Sequence, residues 1–321
     1  MRALQVVELT GPQSVQLAEI ADPVPGAGDV LIDVKAAGVT FPDVLLTRGQ
    51  YQIRPEPPFI PGCEVAGVVV SAPPDSGFAP GDRVAAFPGL GGFAERVSVT
   101  ATHVFALPDG VSFEVGAALP MNAFTVQFAL ETRGRMKPGD TLLVHGAAGG
   151  IGTAAIQFAK AKGATVIGVV STPEKAQVAL AAGADHTVTA DSFKDEAKAL
   201  TGDRGVDIVL DPVGGDRFTD SIRSLATYGR VLVVGFTGGE IPTVKVNRLL
   251  LGNTEVIGAG WGAVAFTQPD YMKQQWAQLL PLIQSGQLDP IIGSKYPLAD
   301  GITGIEELQD RRATGKVLLV P

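Results

Sequence analysis

At 321 residues, with 45% hydrophobic and 18% charged residues, the chain is longer than a typical single domain and too apolar to stay disordered. Its net charge of −8 opposes general attraction to nucleic acid or anionic lipid and favours a small-molecule partner. The single cysteine, Cys63, excludes an intramolecular disulfide, no apolar run is long enough for a membrane span, and the N-terminal "MRALQVVELT" alternates like a strand. The expectation is a soluble cytoplasmic protein.

The first part of the chain carries short β-patterned runs, "DVLIDVKAAGV", "EVAGVVVSA", "DRVAAF" and "AERVSVT", between Gly and Pro turns. Strands at that spacing predict a compact all-β unit, a small barrel. The triplet Pro-Gly-Asp occurs at 80–82 and again at 138–140, each time before an apolar run, which predicts a turn at a strand start.

From Phe124 the rhythm changes. The valine-rich runs "TLLVH", "ATVIGVV", "VDIVLD", "GRVLVVGF" and "TEVIGAG" alternate with helical segments such as "PEKAQVALAAGA" and "FTDSIRSLATYG". This alternation predicts an α/β fold, a doubly wound parallel sheet with helices on both faces. After Trp261 a long helical candidate, "DYMKQQWAQLLPLIQSG", leads to a closing strand, "GKVLLV", that continues no βαβ repeat. The tail is therefore expected to rejoin the first unit, giving domains 1–123 with 262–321, and 124–261.

One stretch carries chemistry. Ala147-Ala148-Gly149-Gly150-Ile151-Gly152 has the G-x-G-x-x-G spacing with alanine in the first place, and it follows a strand, opens a helix and leads to a second strand. Gly149 would let the backbone approach a pyrophosphate, Gly152 would let the helix pack closely, and the free amides of the helix start would attract the anion. Enzymes specific for NAD place an acid about 20 residues further on to hold the ribose hydroxyls. Here Ser171 and Thr172 stand at that place, with Lys175 a turn later, so a 2′-phosphate could be accepted and NADPH is expected. Glu174 opposes that reading.

Taken with "AAGVTFPDVLLTRGQYQ", "PFIPGCEVAGVV", "PGDRVAAF", "GGFAERV", "DIVLDPVGG", "GFTGGEIPTVKVNRLLLGN" and "RRATGKVLL", the glycine stretch resembles the zinc-free quinone oxidoreductase, or zeta-crystallin-like, branch of the medium-chain dehydrogenase/reductase superfamily. The resemblance covers nearly the whole chain. It implies a GroES-like β-barrel domain beside a Rossmann domain. Zinc-dependent relatives carry Cys in the segment that reads "GVTFPD" here and His where this chain has Cys63. His103, His145 and His186 share no ligand spacing, so no metal is expected. Cys63 reads as a small buried or cleft-lining residue, or else a modifiable thiol, and His145 as a packing residue. Two departures stand out: Thr40 replaces an asparagine of the family's "GVN" segment, and Thr189-Ala190 replaces an Asn-Tyr expected to contact the 2′-phosphate.

The resemblance further implies a metal-free hydride transfer from the nicotinamide to a quinone or an α,β-unsaturated carbonyl, with substrate near Thr40, Phe41, Tyr51 and Asn122. Thr40 or Asn122 would donate to the developing oxyanion, and Tyr51 would donate a hydrogen bond or proton, unless solvent supplies it. Thr125, at the start of the helix joining the domains, and Phe236 would flank the nicotinamide. Ala148, Gly149, Gly150 and Ile151 would line the pyrophosphate, and Trp261 the outer pocket, although as a bare residue Trp261 is equally a core or interface aromatic. The last apolar run, "TEVIGAG", would form a sheet edge covered by a second subunit in a homodimer.

Two other functions fit the sequence. An enoyl-thioester reductase on the same scaffold would need a basic cleft, for which Arg48, Arg54, Arg248, Arg311 and Arg312 are candidates. A nucleotide-binding or RNA-binding protein without turnover is opposed by the acidic balance and the lack of Lys/Arg runs.

Overall fold

The computed structural model describes residues 1–321, which divide into two compact units, Met1–Met121 with Pro269–Gln284 and Pro290–Pro321, and Asn122–Gln268 with Ser285–Asp289. Asn122, Ala123, residues 262–268 and Ser285–Asp289 therefore belong with the second unit.

The first unit opens with an antiparallel pair, β1 (Arg2–Val6) and β2 (Val15–Glu19). Its main sheet uses β3 (Asp29–Val39), β4 (Glu64–Ser71), β5 (Arg83–Ala86), β6 (Arg96–Thr100) and β7 (Val104–Ala106). Alternation is visible in β3, where Val30, Ile32 and Val34 are buried between the half-buried Asp29, Leu31 and Asp33 and the exposed Lys35, until Ala36–Val39 become buried throughout. These side chains meet Val65, Val69, Val84, Phe93 and Val97 in the core. The unit is not purely β as its sequence suggests: helices form at Phe41–Leu46 and Phe113–Ala118. Phe113–Ala118 packs on β3 and β4, while Phe41–Leu46 packs on the helix Gly301–Gln309 and sends Val44 into the core, a tertiary effect that outweighs local pattern.

The second unit is built on a six-stranded parallel sheet. Its strands are β8 (Thr141–Val144), β9 (Thr165–Val170), β10 (His186–Thr189), β11 (Val206–Asp211), β12 (Leu225–Val233) and β13 (Glu255–Gly258), in the spatial order β10-β9-β8-β11-β12-β13. β8 is buried on both faces, as expected of a central strand between helix layers. Helix Gly150–Ala161 connects β8 to β9. "FTDSIRSLATYG" is only half helical, because the helix ends at Arg223 and Leu225 begins β12. β10 was not among the valine-rich runs, since "HTVT" buries only Val188.

The two Pro-Gly-Asp turns do the same work. Gly81 and Gly139 take φ of 96° and 87°, and the Asp82 and Asp140 carboxylates accept from the backbone N–H of Ala79 at 2.7 Å and Lys137 at 3.0 Å. A strand follows each. After helix Tyr271–Gln284, β14 (Ile292–Pro297) pairs parallel with β15 (Lys316–Val320), and β15 pairs antiparallel with β3, so the tail closes the first unit's sheet. No helix is long and apolar enough to cross a membrane.

Candidate active site

In the second unit the chain leaves β8 at Val144 and turns through Gly146, whose φ of 61° is left-handed, with the Gly149 N–H bonded to the Gly146 carbonyl at 3.0 Å. The helix starts at Gly150, and Thr153 is the first residue whose N–H finds an acceptor, Gly149 O at 2.9 Å. The amides of Gly150, Ile151 and Gly152 are thus the unsatisfied donors of a helix N-terminus, flanked by buried Ala148. A Cβ on Gly149 would meet nothing closer than Gly146 O at 3.5 Å. On Gly152 it would strike the Gly146 carbonyl and come within 2.6 Å of Ala147 Cα. What Gly152 permits is the closure of the turn itself, more than the helix-to-sheet packing inferred from the motif. These features fit a pyrophosphate: open amides, a bare backbone and the positive end of a twelve-residue helix.

Asn122 lies beside this turn, for a Cβ on Gly150 would stand 2.6 Å from Asn122 Nδ2. Thr125 is buried within helix Pro120–Gln127, so it does not stand at the helix start as expected. At the end of β9, Ser171 is exposed, while Thr172 caps helix Pro173–Ala181 by accepting from Lys175 N–H at 3.3 Å. Of the two hydroxyls, Ser171 is the one not committed to the cap. The exposed Glu174 carboxyl is held below its usual range by hydrogen bonds from its own backbone and from Thr172, so it stays charged.

Past β12, Phe236 packs over Gly214, where a Cβ would come within 2.9 Å of the ring. Gly214 in turn follows Asp211, whose Oδ1 accepts from Val213 and Gly214 N–H at 2.8 and 2.9 Å. Trp261 is buried against Phe124, with ring centroids 5.8 Å apart, and next to Phe266 at 6.2 Å. His145 is also buried, edge-on to Phe193, with Nε2 2.8 Å from Ser221 Oγ, and burial lowers its pKa.

In the first unit, Thr40 precedes helix Phe41–Leu46 and is buried. Its N–H and its hydroxyl both donate to Asp43 Oδ2, at 2.8 and 2.7 Å, and Asp43 Oδ1 accepts from Gly62 N–H at 2.9 Å. Thr40 Oγ1 also lies 3.6 Å from Cys63 Sγ. The hydroxyl expected to face an oxyanion is therefore already donating inward. Burial pushes the Asp43 carboxyl up to about 6 against the pull of those hydrogen bonds. Burial, then the Asp43 and Glu64 carboxylates, raises the Cys63 thiol well above its usual range, so it remains protonated and weakly reactive. Burial also pushes the half-buried Tyr51 phenol up to about 12, helped by Cys63 and Asp43. Phe41 packs against the edge of the first unit's core.

Asp43 escaped the sequence reading, although the T-x-x-D spacing of "TFPD" is the signal of a side chain reaching back to a helix cap. No group of three or more His, Cys, Asp or Glu side chains is arranged to hold a metal ion.

The zinc-binding dehydrogenase family matches residues 150–285 and the alcohol dehydrogenase GroES-like domain matches residues 26–109. Quinone oxidoreductase-like protein 2 of Bos taurus is 37% identical over 318 residues, covering 98% of this chain and 88% of that protein. A probable oxidoreductase from Mycobacterium abscessus superposes with a TM-score of 0.92 at 43% identity, over 100% of this chain and 99% of that one. The Escherichia coli quinone oxidoreductase, solved in complex with NADPH, superposes with a TM-score of 0.92 at 30% identity over 100% of both chains. With the Rossmann sheet, the GroES-like unit and these matches in place, the chain belongs to the quinone oxidoreductase branch of the medium-chain dehydrogenase/reductase superfamily.

Proposed function

We propose that this protein uses NADPH to reduce a quinone or an α,β-unsaturated carbonyl. The observation that carries the reading is the Gly146–Gly152 turn, with three unsatisfied helical amides and no side chain over Gly149. Ser171 follows the next strand where an acid would otherwise repel a 2′-phosphate, and Lys175 lies one turn on. The complex of the Escherichia coli relative with NADPH supports the same choice.

When bound, the nicotinamide supplies a hydride, and a conjugated acceptor is suited to it because the charge left behind is delocalised onto oxygen. Tyr51, protonated up to about 12, can donate to that oxygen throughout the physiological range. In the second unit Asn122 offers an amide beside Gly150, and Thr125, Phe236 and the backbone of Ala148–Ile151 serve the cofactor. Of the five arginines that a thioester would call on, Arg48 donates to Gln309 and Arg312 to Asp310, which ties two of them to neighbours within the first unit.

The second unit also supports a homodimer. β13 is an outer strand, and Ile241, Val246, Leu250 and Leu251, in the segment between β12 and β13, are 70–79% exposed. Pairing of two such edges would cover both the strand and the apolar side chains. Leu250→Asp with Leu251→Asp is expected to yield a monomer in sedimentation velocity.

The activity is tested by nicotinamide absorbance with NADPH and separately NADH, against a benzoquinone, an ortho-quinone, a medium-chain 2-alkenal and a crotonyl thioester. Turnover of a quinone or alkenal with NADPH preferred is the expected result. Turnover of the thioester alone would replace the proposal with an enoyl-thioester reductase.

A further inference from the structure

We propose that Asp43 is a positioning residue that sets the direction of the Thr40 hydroxyl, and so decides whether Thr40 can donate a hydrogen bond to a substrate oxygen. The inference deepens the reductase reading above and rests on it.

The geometry leaves two arrangements. With Asp43 ionised, Oδ2 accepts from both the N–H and the hydroxyl of Thr40, and Oδ1 from Gly62 N–H. Thr40 Oγ1 then has only lone pairs to present, one of them toward Cys63 Sγ at 3.6 Å. With a proton on Asp43 Oδ2, that oxygen still accepts from Thr40 N–H while its O–H donates to Thr40 Oγ1. The Thr40 proton is released and can turn toward an oxyanion. No bond other than a hydrogen bond changes, and the proton gained by Asp43 comes from solvent.

The surroundings hold these two states within reach of each other. Asp43 is fully buried, which favours the neutral acid, while three hydrogen bonds favour the anion. The other titratable groups facing it are Cys63, Tyr51 and Lys316, the last paired with Glu64; Lys316 lowers its pKa, and Cys63 and Tyr51 are neutral below their own raised values. The balance lies near 6, where a modest change in pH reverses the chain of hydrogen bonds. A developing oxyanion needs a donor, so the neutral acid is the competent form.

The test compares the wild-type enzyme with Thr40→Ser and Thr40→Val between about pH 5 and pH 8.5, using NADPH and a conjugated enone. In wild type and Thr40→Ser, kcat should fall about tenfold from an acid plateau to a lower one as Asp43 ionises. Thr40→Val should start at the lower plateau and show no such limb. Carbon-13 NMR of Cγ-labelled aspartates, with Asp43→Asn to assign the resonance, follows the same carboxyl without turnover. Its midpoint should move upward in Thr40→Val, because the anion loses one donor. A wild-type limb that persists in Thr40→Val, or a midpoint unmoved by that change, overturns the inference. A coupled titration with no turnover of any acceptor upholds the Asp43–Thr40 coupling and overturns the reductase reading.

Discussion

A carboxylate oxygen of Glu64, at the start of β4, sits against Nζ of Lys316, at the start of β15, and both side chains are buried. The other oxygen of Glu64 accepts from Met121 N–H at 2.8 Å. The pair lies beside Gly38, where a Cβ would come within 2.6 Å of the Glu64 oxygen that meets Lys316, so a side chain cannot be added there.

Lys316→Met would leave the Glu64 charge buried without its cation. Breaking a buried ion pair at one partner costs about 3–5 kcal/mol, so the variant should show a clearly lower thermal midpoint. Replacing both residues, with Glu64→Gln added, should recover part of the loss. A double variant no more stable than the single one would show that the pair contributes little.

The glycines of the cofactor turn should separate by function. Gly152→Ala places a methyl into the backbone of Gly146 and Ala147, which cannot move aside, and is expected to lower both stability and NADPH binding. Gly149→Ala, at φ −86° and with ordinary clearance, should unfold at the wild-type temperature yet bind NADPH about tenfold or more weakly. Calorimetry and fluorescence titration read the two effects independently.

Cofactor choice is predicted to follow Ser171 and Lys175. Lys175→Ala should raise KM for NADPH about tenfold with little change for NADH, because only the 2′-phosphate carries the charge it would pair with. Ser171→Asp should reverse the preference. Equal effects on both cofactors would place the residues outside the phosphate site.

Acid sensitivity should include a contribution from His145. Its folded-state pKa lies below the ordinary 6.5 through burial, so the unfolded chain binds more protons and stability falls as pH drops below about 6.5. Asp43, in the first unit and raised from 3.8 to about 6, acts with the opposite sign between those values, since there the folded chain binds the extra proton. Comparing wild type with His145→Leu cancels the Asp43 contribution. The difference in thermal midpoint between pH 7.5 and 5.5, roughly the window in question, should be smaller in the variant.

Local pattern made much of the molecule legible. The valine-rich runs became β8, β9, β11, β12 and β13, and in β8, β9 and β11 the near-continuous apolar burial is what a parallel sheet between helices requires. The Pro-Gly-Asp turns and the glycine turn were readable for a related reason: each depends on a backbone conformation or a close approach that few residues allow. β10 and the division of "FTDSIRSLATYG" were harder, since a polar edge strand and a helix-to-strand change carry weak periodicity.

Side-chain roles were legible only in part. Thr40 was recognised as a hydroxyl in an informative segment, yet its partners Asp43, Gly62 and Cys63 meet only after β3, the helix beginning at Phe41 and β4 have packed. Trp261 could have been a pocket or a core residue, and burial against Phe124 and Phe266 was settled by packing. By itself the sequence determined the strand and helix rhythm, the glycine turn and the hydroxyls of Ser171 and Thr172 in place of an acid directly after β9, because these are properties of neighbouring residues. Only the tertiary structure decided which way the Thr40 hydroxyl points and that Glu64 meets Lys316. Both depend on excluding water from polar groups distant in the chain, and burial of that kind has no local signature.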